Sequence, residues 1–491
     1  MIIQTSSGKV KGVQLKDTYV FRGIPYAAPP VSELRFKPPV PPLSWEGIRE
    51  CDSFGPIAHQ RHDPNTFLPE LMHSEDCLNL NVWTPGTQGS PRPVIVYIHG
   101  GGFIGGKGAE CDGARYATED DFVYVSINYR LGALGFLYLG ELLGEEYSTS
   151  GNNGMLDIFA ALRWVQTNIT AFGGDPHRVT VIGNSAGAKC TATLYTMKEA
   201  EGLFHRAIAQ SGATQSIRDI HTAGVTTTRL LEALDLQPSE VGKLLSVPAE
   251  LLIEAQMKVG PDTSRNLHMF GPVADGILIP VDPLASIQEA ANLPPLLIGT
   301  NEDEAAMFIL YDPGLQKPDP GTIERLFGQN QLIVWESFIQ YSQIMPIDKA
   351  WSKILTEHLY TIGCLQLADA IADTGSPVWV YRLQYGGSLG AAHGYEGSLI
   401  HYMKNPEREI KVDTTDPYYV ADEGRELAQS MRAAWNAFIR EGDPNAALLP
   451  EWPVYGDSHS MMVLDLVSAA KEDPSPPNGV ACSHQVWRAE G

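Results

Sequence analysis

The chain has 491 residues, 43% hydrophobic and 19% charged, which is ordinary for a soluble globular protein and long enough for two or three domains or one large α/β domain with insertions. Its 58 acidic against 35 basic residues give a net charge of −23, which repels a phosphate backbone and argues against a nucleic-acid partner. No apolar run approaches the length of a membrane span, and Met1 to Lys9 lacks the basic and apolar regions of a signal peptide, so a cytoplasmic protein is expected.

In chain order, Gly8 to Val13 has a hairpin-like pattern. Phe21-Arg22-Gly23-Ile24-Pro25-Tyr26-Ala27 follows, then a proline-rich run to Pro42. Prolines at that density forbid a helix and hold an extended path, so the run reads as a wrapping arm. Residues 59–73 are polar and irregular and read as a loop. Cys77 to Trp83 alternates as a strand does. Pro93 to Ile98 is continuously apolar, the pattern of a strand buried on both faces. It runs into His99-Gly100-Gly101-Gly102-Phe103. Consecutive glycines there let backbone N–H groups converge into an anion-binding concavity, with His99 hydrogen-bonding locally to hold the loop.

Phe122 to Arg130 reads as another buried strand and residues 154–169 as an amphipathic helix, closed by Phe172-Gly173-Gly174-Asp175-Pro176. A sequon at Asn168-Ile169-Thr170 falls at that helix end. Val179-Thr180-Val181-Ile182 is wholly β-branched and reads as a strand. It leads into Gly183-Asn184-Ser185-Ala186-Gly187, the G-x-S-x-G pattern. At such a strand-to-helix turn the serine is lifted into a strained, exposed position, and side chains at the two glycines would collide with their neighbours. The helix starting near Ala186 favours negative charge beside Ser185. Strand, helix, strand, helix in this order implies a parallel sheet with crossover helices.

Further on, Ala207 to Gly212 reads as a strand, residues 219–260 as amphipathic helices and Phe270 to Gly276 as a turn. Leu293 to Thr300 reads as a buried strand with Asn301-Glu302-Asp303-Glu304 at its C-terminal end, where open α/β sheets bind ligands. Residues 305–375 read as mostly helical, and Val378 to Leu383 as the last clear buried strand. Gly390-Ala391-Ala392-His393-Gly394 sets a histidine among small residues, and residues 420–441 read as a helix ending at Gly442-Asp443-Pro444. The six cysteines form no C-x-x-C pair and fit reduced thiols.

A serine hydroxyl is a poor nucleophile without a general base, a group that orients the base, and donors for the developing oxyanion. Glycine loop, serine, acid and histidine occur in the order of an α/β-hydrolase. Among 13 histidines His393 is the candidate base, with His401 a rival eight residues on. Spacing leaves Glu302, Asp303 and Glu304 open as the acid.

These motifs, with Ser74-Glu75-Asp76-Cys77-Leu78, Asn128-Tyr129-Arg130-Leu131-Gly132 and Gly442-Asp443-Pro444-Asn445, resemble the type-B carboxylesterases, the carboxylesterase/cholinesterase family, especially bacterial para-nitrobenzyl-esterase-like members. The resemblance runs from Gly8 to about Tyr455 and is poor at residues 59–73, 214–265 and 305–375. It implies one α/β-hydrolase domain over residues 1–491, with a large, mostly parallel sheet flanked by helices and helical caps at roughly 214–265 and 305–375. It implies Ser185 as nucleophile, His393 as base and Glu304 as acid, and the N–H groups of Gly101, Gly102 and Ala186 as oxyanion donors. Structural salt bridges would fall at Arg35–Glu75 and Arg130–Asp175. The implied reaction is hydrolysis of a small carboxylic ester through an acyl-enzyme, without metal or cofactor, by a monomer or weak homo-oligomer. The alternatives are the same triad specialised for a carbamate, lactone, amide or bulky natural-product ester, or a non-catalytic binding protein on this fold. Three positions depart from the family pattern. Asn184 replaces the usual glutamate before the serine, Ala305 replaces glycine after the acid, and Ala58 replaces the cysteine that would partner Cys77.

Overall fold

In the computed structural model the described residues are 1–61, 71–260, 269–400 and 416–472. His401, Cys482, most of the loop at 59–73 and the end of the segment 214–265 lie outside them. The chain divides into two compact units, one built mainly on Met1–Arg206 and Ser216–Pro261, the other on Ala207–Gln215 and the chain from Leu284 onward.

In the first unit the N-terminal hairpin is β1 (Ile2–Gln4) antiparallel to β2 (Lys9–Lys11), with Ile2 opposite Lys11. β3 (Val13–Leu15) and β4 (Thr18–Pro25) follow, and β5 (Ile48–Glu50) returns to pair with β2. The proline-rich arm carries one 3-10 turn, Ser32–Leu34. β6 (Asn79–Thr84), β7 (Arg92–Ile98), β8 (Val123–Ile127) and β9 (Gly174–Asn184) complete a sheet ordered β9-β7-β8-β6-β4-β3. β9, β7 and β8 are parallel, and the remaining pairs are antiparallel.

β6 differs from its alternating pattern, because every one of its residues is buried. Its polar positions face protein rather than water and are hydrogen-bonded: Asn81 Nδ2 donates to Ser126 Oγ at 3.1 Å, and Gly23 N donates to Asn81 Oδ1 at 3.0 Å. Buried amides that are satisfied in this way cost little. The helix Asn153–Asn168 matches the sequence-predicted span except at Ile169, which begins a 3-10 turn. Asn168 at its end is buried and accepts from Ser6 N at 2.7 Å, so its amide is committed to packing.

Arg35 pairs with Glu75 as the resemblance implied. Arg130 does not pair with Asp175. It grips Asp157 through Nε (2.8 Å) and Nη2 (2.7 Å), and its backbone N–H adds a third bond at 3.0 Å. Asp157 projects from the middle of the 153–168 helix into the core, whereas Asp175 is spent on the turn, where its Oδ1 accepts from His177 N. Arg218 is also fully buried, and its guanidinium donates to the carbonyls of Phe136, Met269 and Gly271. Burial pushes this guanidinium down to about 9.

In the second unit β10 (Arg206–Gln210), β11 (Leu296–Asn301), β12 (Val378–Leu383) and β13 (Ser460–Leu464) lie side by side and parallel, with β14 (Ala469–Glu472) antiparallel at the edge. β13 follows β12 in the sheet, and its Met-Met-Val-Leu run is too short to stand out by periodicity. The helical reading of 305–375 holds, from Ala306–Tyr311 through Ile362–Ala372, but one turn of it, Glu357–Thr361, is π-helical.

Candidate active site

β9 ends in the G-x-S-x-G turn, and the helix Ala186–Leu194 begins at the next residue. Ser185 joins them at φ 56° and ψ −122°, a conformation that costs a non-glycine residue about 1–3 kcal/mol. The flanking glycines carry this turn. A Cβ on Gly183 would sit 2.2 Å from the carbonyl of Gly187, and one on Gly187 would sit 2.0 Å from Ile98 O.

The glycine loop lies beside this elbow because of register. β7 and β9 are parallel with Ile98 opposite Gly183, so both strands end at the same level. A Cβ on Gly100 would lie 2.8 Å from Asn184 O and 3.1 Å from the Ser185 Cβ. Gly101 (φ 106°), Gly102 (φ 62°) and Phe103 (φ 63°) then turn in the left-handed region, and Gly101 O accepts from Ile104 N and Gly105 N. His99 holds the loop from below: its Nδ1 lies 2.9 Å from Gly100 O, its carbonyl accepts from Tyr129 Oη at 2.9 Å, and its ring stacks on Tyr129. Burial pushes the His99 imidazole down to about 4, so it stays neutral.

The acid and the histidine come together by the same device in the second unit. β11 and β12 are parallel with Asn301 opposite Leu383, and the loops that leave them stay paired. Asp303 N donates to Ala391 O at 3.0 Å, and Asn301 Nδ2 donates to Ala392 O at 2.8 Å. His393 Nδ1 lies 2.5 Å from Glu304 Oε2. Glu304 is fully buried, and its other oxygen accepts from Ser211 Oγ (2.5 Å) and Asn301 N (2.8 Å). Of the three acids left open by spacing, Glu304 meets the imidazole. Asp303 Oδ2 accepts from Ala391 N instead, and Glu302 faces Arg382 at 3.9 Å. Ala305 takes φ −78° and ψ −11°, an ordinary helical conformation that needs no glycine. His393 Nε2 is buried and has no hydrogen-bond partner among the described residues.

Several members of this cluster carry no sequence motif. Glu396, one helical turn beyond His393, is fully buried; Asn301 Nδ2 donates to its Oε2 at 2.5 Å, and Ser211 Oγ lies 3.4 Å from its Oε1. Burial and then the nearby Glu304 carboxylate push Glu396 up to about 7. Tyr418 Oη donates to His393 O at 2.8 Å. The only sequence signal for Glu396 was its i+3 spacing from His393, which ordinary surface helices also show.

The sequence profile described as the carboxylesterase family matches residues 1–476. The chain is 34% identical over 490 residues to the para-nitrobenzyl esterase of Bacillus subtilis, covering 96% of each. It is 33% identical over 510 residues to the phenmedipham hydrolase of Pseudarthrobacter oxydans, covering 98% of each. A crystal structure of a carboxylesterase from Geobacillus stearothermophilus matches with a TM-score of 0.85 at 38% identity, over 96% of this chain and 98% of that one. A structure of PNB esterase matches with a TM-score of 0.85 at 32% identity, over 96% and 97%. The protein is thus an α/β-hydrolase and a carboxylic-ester hydrolase acting on small esters. It belongs to the carboxylesterase family, and these relatives favour ester hydrolysis over the specialised and non-catalytic alternatives. Among the described residues no helix is long and apolar enough to cross a membrane.

Proposed function

We propose that Ser185, His393 and Glu304 form the catalytic triad of this esterase, with the N–H groups of Gly101, Gly102 and Ala186 as the oxyanion hole. The observation that carries the reading is the buried Glu304–His393 bond, which leaves His393 Nε2 with a lone pair and no described partner. Glu304 holds the proton on Nδ1, and Nε2 takes the Ser185 hydroxyl proton as its oxygen attacks the ester carbonyl. The carbonyl oxygen becomes an oxyanion held by the three N–H groups; collapse expels the alcohol, which receives the proton from His393. Water, deprotonated by the same nitrogen, then attacks the acyl-enzyme, and the carboxylic acid leaves as Ser185 regains its proton. Asn184, uncharged beside the nucleophile, gives cationic esters no advantage.

On this reading residues 1–491 work as one α/β-hydrolase domain, and the helical segments at 214–265 and 305–375 cap the site and set the accepted acyl and alcohol groups. The protein acts as a monomer or weak homo-oligomer without a nucleic-acid partner. A cytoplasmic location agrees with the buried Cys51, Cys77, Cys190 and Cys364 forming no disulfide among the described residues. Ser185→Ala should abolish hydrolysis of a short para-nitrophenyl ester with the circular dichroism spectrum unchanged. Retained turnover would show that the nucleophile is elsewhere.

A further inference from the structure

The π-helical turn Glu357–Thr361 lies between the helices Ile347–Thr356 and Ile362–Ala372, and its Tyr360 side chain faces His393. The ring centroids are 4.7 Å apart with an interplanar angle of 39°. Phe308 stands 5.3 Å from the same imidazole and stacks on Tyr360 at 6.2 Å and 6°, closing a cluster of three rings. Tyr360 is 1% exposed. Burial, and next the charge of Glu304, push its phenol well above the ordinary range, so the ring is neutral throughout turnover.

The irregular turn is what lets this helix address the acid–histidine pair at several points. Thr356 Oγ1 accepts from Ala305 N at 3.1 Å, directly after Glu304. Thr361 Oγ1 lies 3.4 Å from Thr300 Oγ1, on the strand that leads to Glu304. Five residues along an α-helix are about 140° apart around the axis, so one α-helical face cannot present both threonines. An i→i+5 turn brings them to the same side, with Tyr360 between them in sequence. The widening is anchored, because Gln215 Nε2 donates to Leu359 O at 3.2 Å and Tyr341 Oη donates to Glu357 Oε1 at 3.0 Å.

We propose that Tyr360 is a positioning residue for the reaction: its ring, placed by the π turn, holds the His393 imidazole in its catalytic orientation and supports the imidazolium formed in each half-reaction. The proposal rests on the reading of His393 as the base. A confined imidazole keeps Nε2 aimed without reorganisation at each proton transfer, and an aromatic face beside a forming cation stabilises it. The hydroxyl is not needed for this, whereas the ring is. Because Tyr360 acts through His393 and not on the substrate, its loss reads in kcat and leaves KM nearly unchanged.

The test measures Tyr360→Phe, Tyr360→Leu and His393→Ala on a para-nitrophenyl ester, with kcat expressed per site labelled to completion by a fluorophosphonate. Tyr360→Phe should keep kcat within about twofold, and Tyr360→Leu should lose about tenfold or more in kcat with KM within about twofold. Tyr360→Met, which fills the space with a flexible apolar chain, stands in if Tyr360→Leu does not fold. Wild-type kcat per labelled site in the Leu or Met variant, with only a lower melting temperature, would overturn the positioning role alone. So would equal loss in the Phe variant, which would assign the effect to the hydroxyl. Activity in His393→Ala would overturn the triad reading and this one with it.

Discussion

On the proposed mechanism Glu304→Gln separates two roles of one carboxylate, because its two oxygens have different partners. Oε2 faces His393 Nδ1 at 2.5 Å, and Oε1 accepts from Asn301 N at 2.8 Å and Ser211 Oγ at 2.5 Å. A glutamine amide can satisfy only one side. With its oxygen toward His393, its NH2 opposes the Asn301 N–H, and two buried donors face each other at a cost of about 1–3 kcal/mol. With its NH2 toward His393, Nδ1 must accept, the ring proton moves to Nε2, and the base is lost. The non-productive orientation is therefore favoured roughly five- to 150-fold at about 1.4 kcal/mol per decade. Even the productive one lacks the negative charge that stabilises the imidazolium. Together these predict a fall in kcat of about 10³–10⁴, the size seen when a triad acid becomes an amide. The assay is kcat and KM on a short para-nitrophenyl ester, beside Asp303→Asn, whose carboxylate touches Ala391 N rather than the imidazole and should cost less than about tenfold. A Glu304→Gln variant within tenfold of wild type, or an Asp303→Asn variant equally impaired, would show that Glu304 is not the acid that orients His393.

Glu396 gives a pH signature of stability. Its folded value of about 7 lies above its ordinary 4.5, so the folded chain holds an extra proton in that interval. The associated stabilisation is complete below about pH 4.5 and is lost as pH rises through about 7. The melting temperature of wild type should fall more between about pH 5 and pH 8 than that of Glu396→Gln, which stays neutral; parallel profiles would contradict the assignment. Arg130→Ala leaves the buried Asp157 carboxylate unpaired and should cost about 3–5 kcal/mol in urea unfolding, with most of it recovered in an apolar Arg130→Met/Asp157→Leu pair. Gly187→Ala places a Cβ 2.0 Å from Ile98 O, backbone that cannot step aside without moving the glycine loop. It should lower stability by about 3 kcal/mol or prevent folding, and an unchanged melting temperature would show that the turn can relax.

The parts of the site that could be read from sequence are those set by backbone geometry. Gly183 and Gly187 are demanded by steric contact, and the apolar runs of β7, β9 and β11 place the loops after them at strand ends. Choosing Glu304 over Asp303 needed the resemblance, because adjacent residues on one loop differ only in direction, and direction comes from the Asp303–Ala391 pairing. Arg130 was matched to the wrong carboxylate for a related reason: Asp157 sits mid-helix, where an acid ordinarily reads as a solvated face, and only packing shows that it points inward. Ser211, Glu396 and Tyr360 are far apart in sequence, and the π turn that seats Tyr360 has no residue signature within an otherwise helical stretch.

On the proposed mechanism the ester's acyl group passes through Ser185. Rapid acid quench during turnover of an ester whose acyl group leaves slowly, followed by mass analysis of proteolytic peptides, tests it directly. One acyl adduct is expected, on the peptide containing Gly183 to Gly187 and at Ser185 within it, absent from Ser185→Ala and strongly reduced in His393→Ala. Turnover with no acylated serine, or with the acyl group on any other residue, would contradict it.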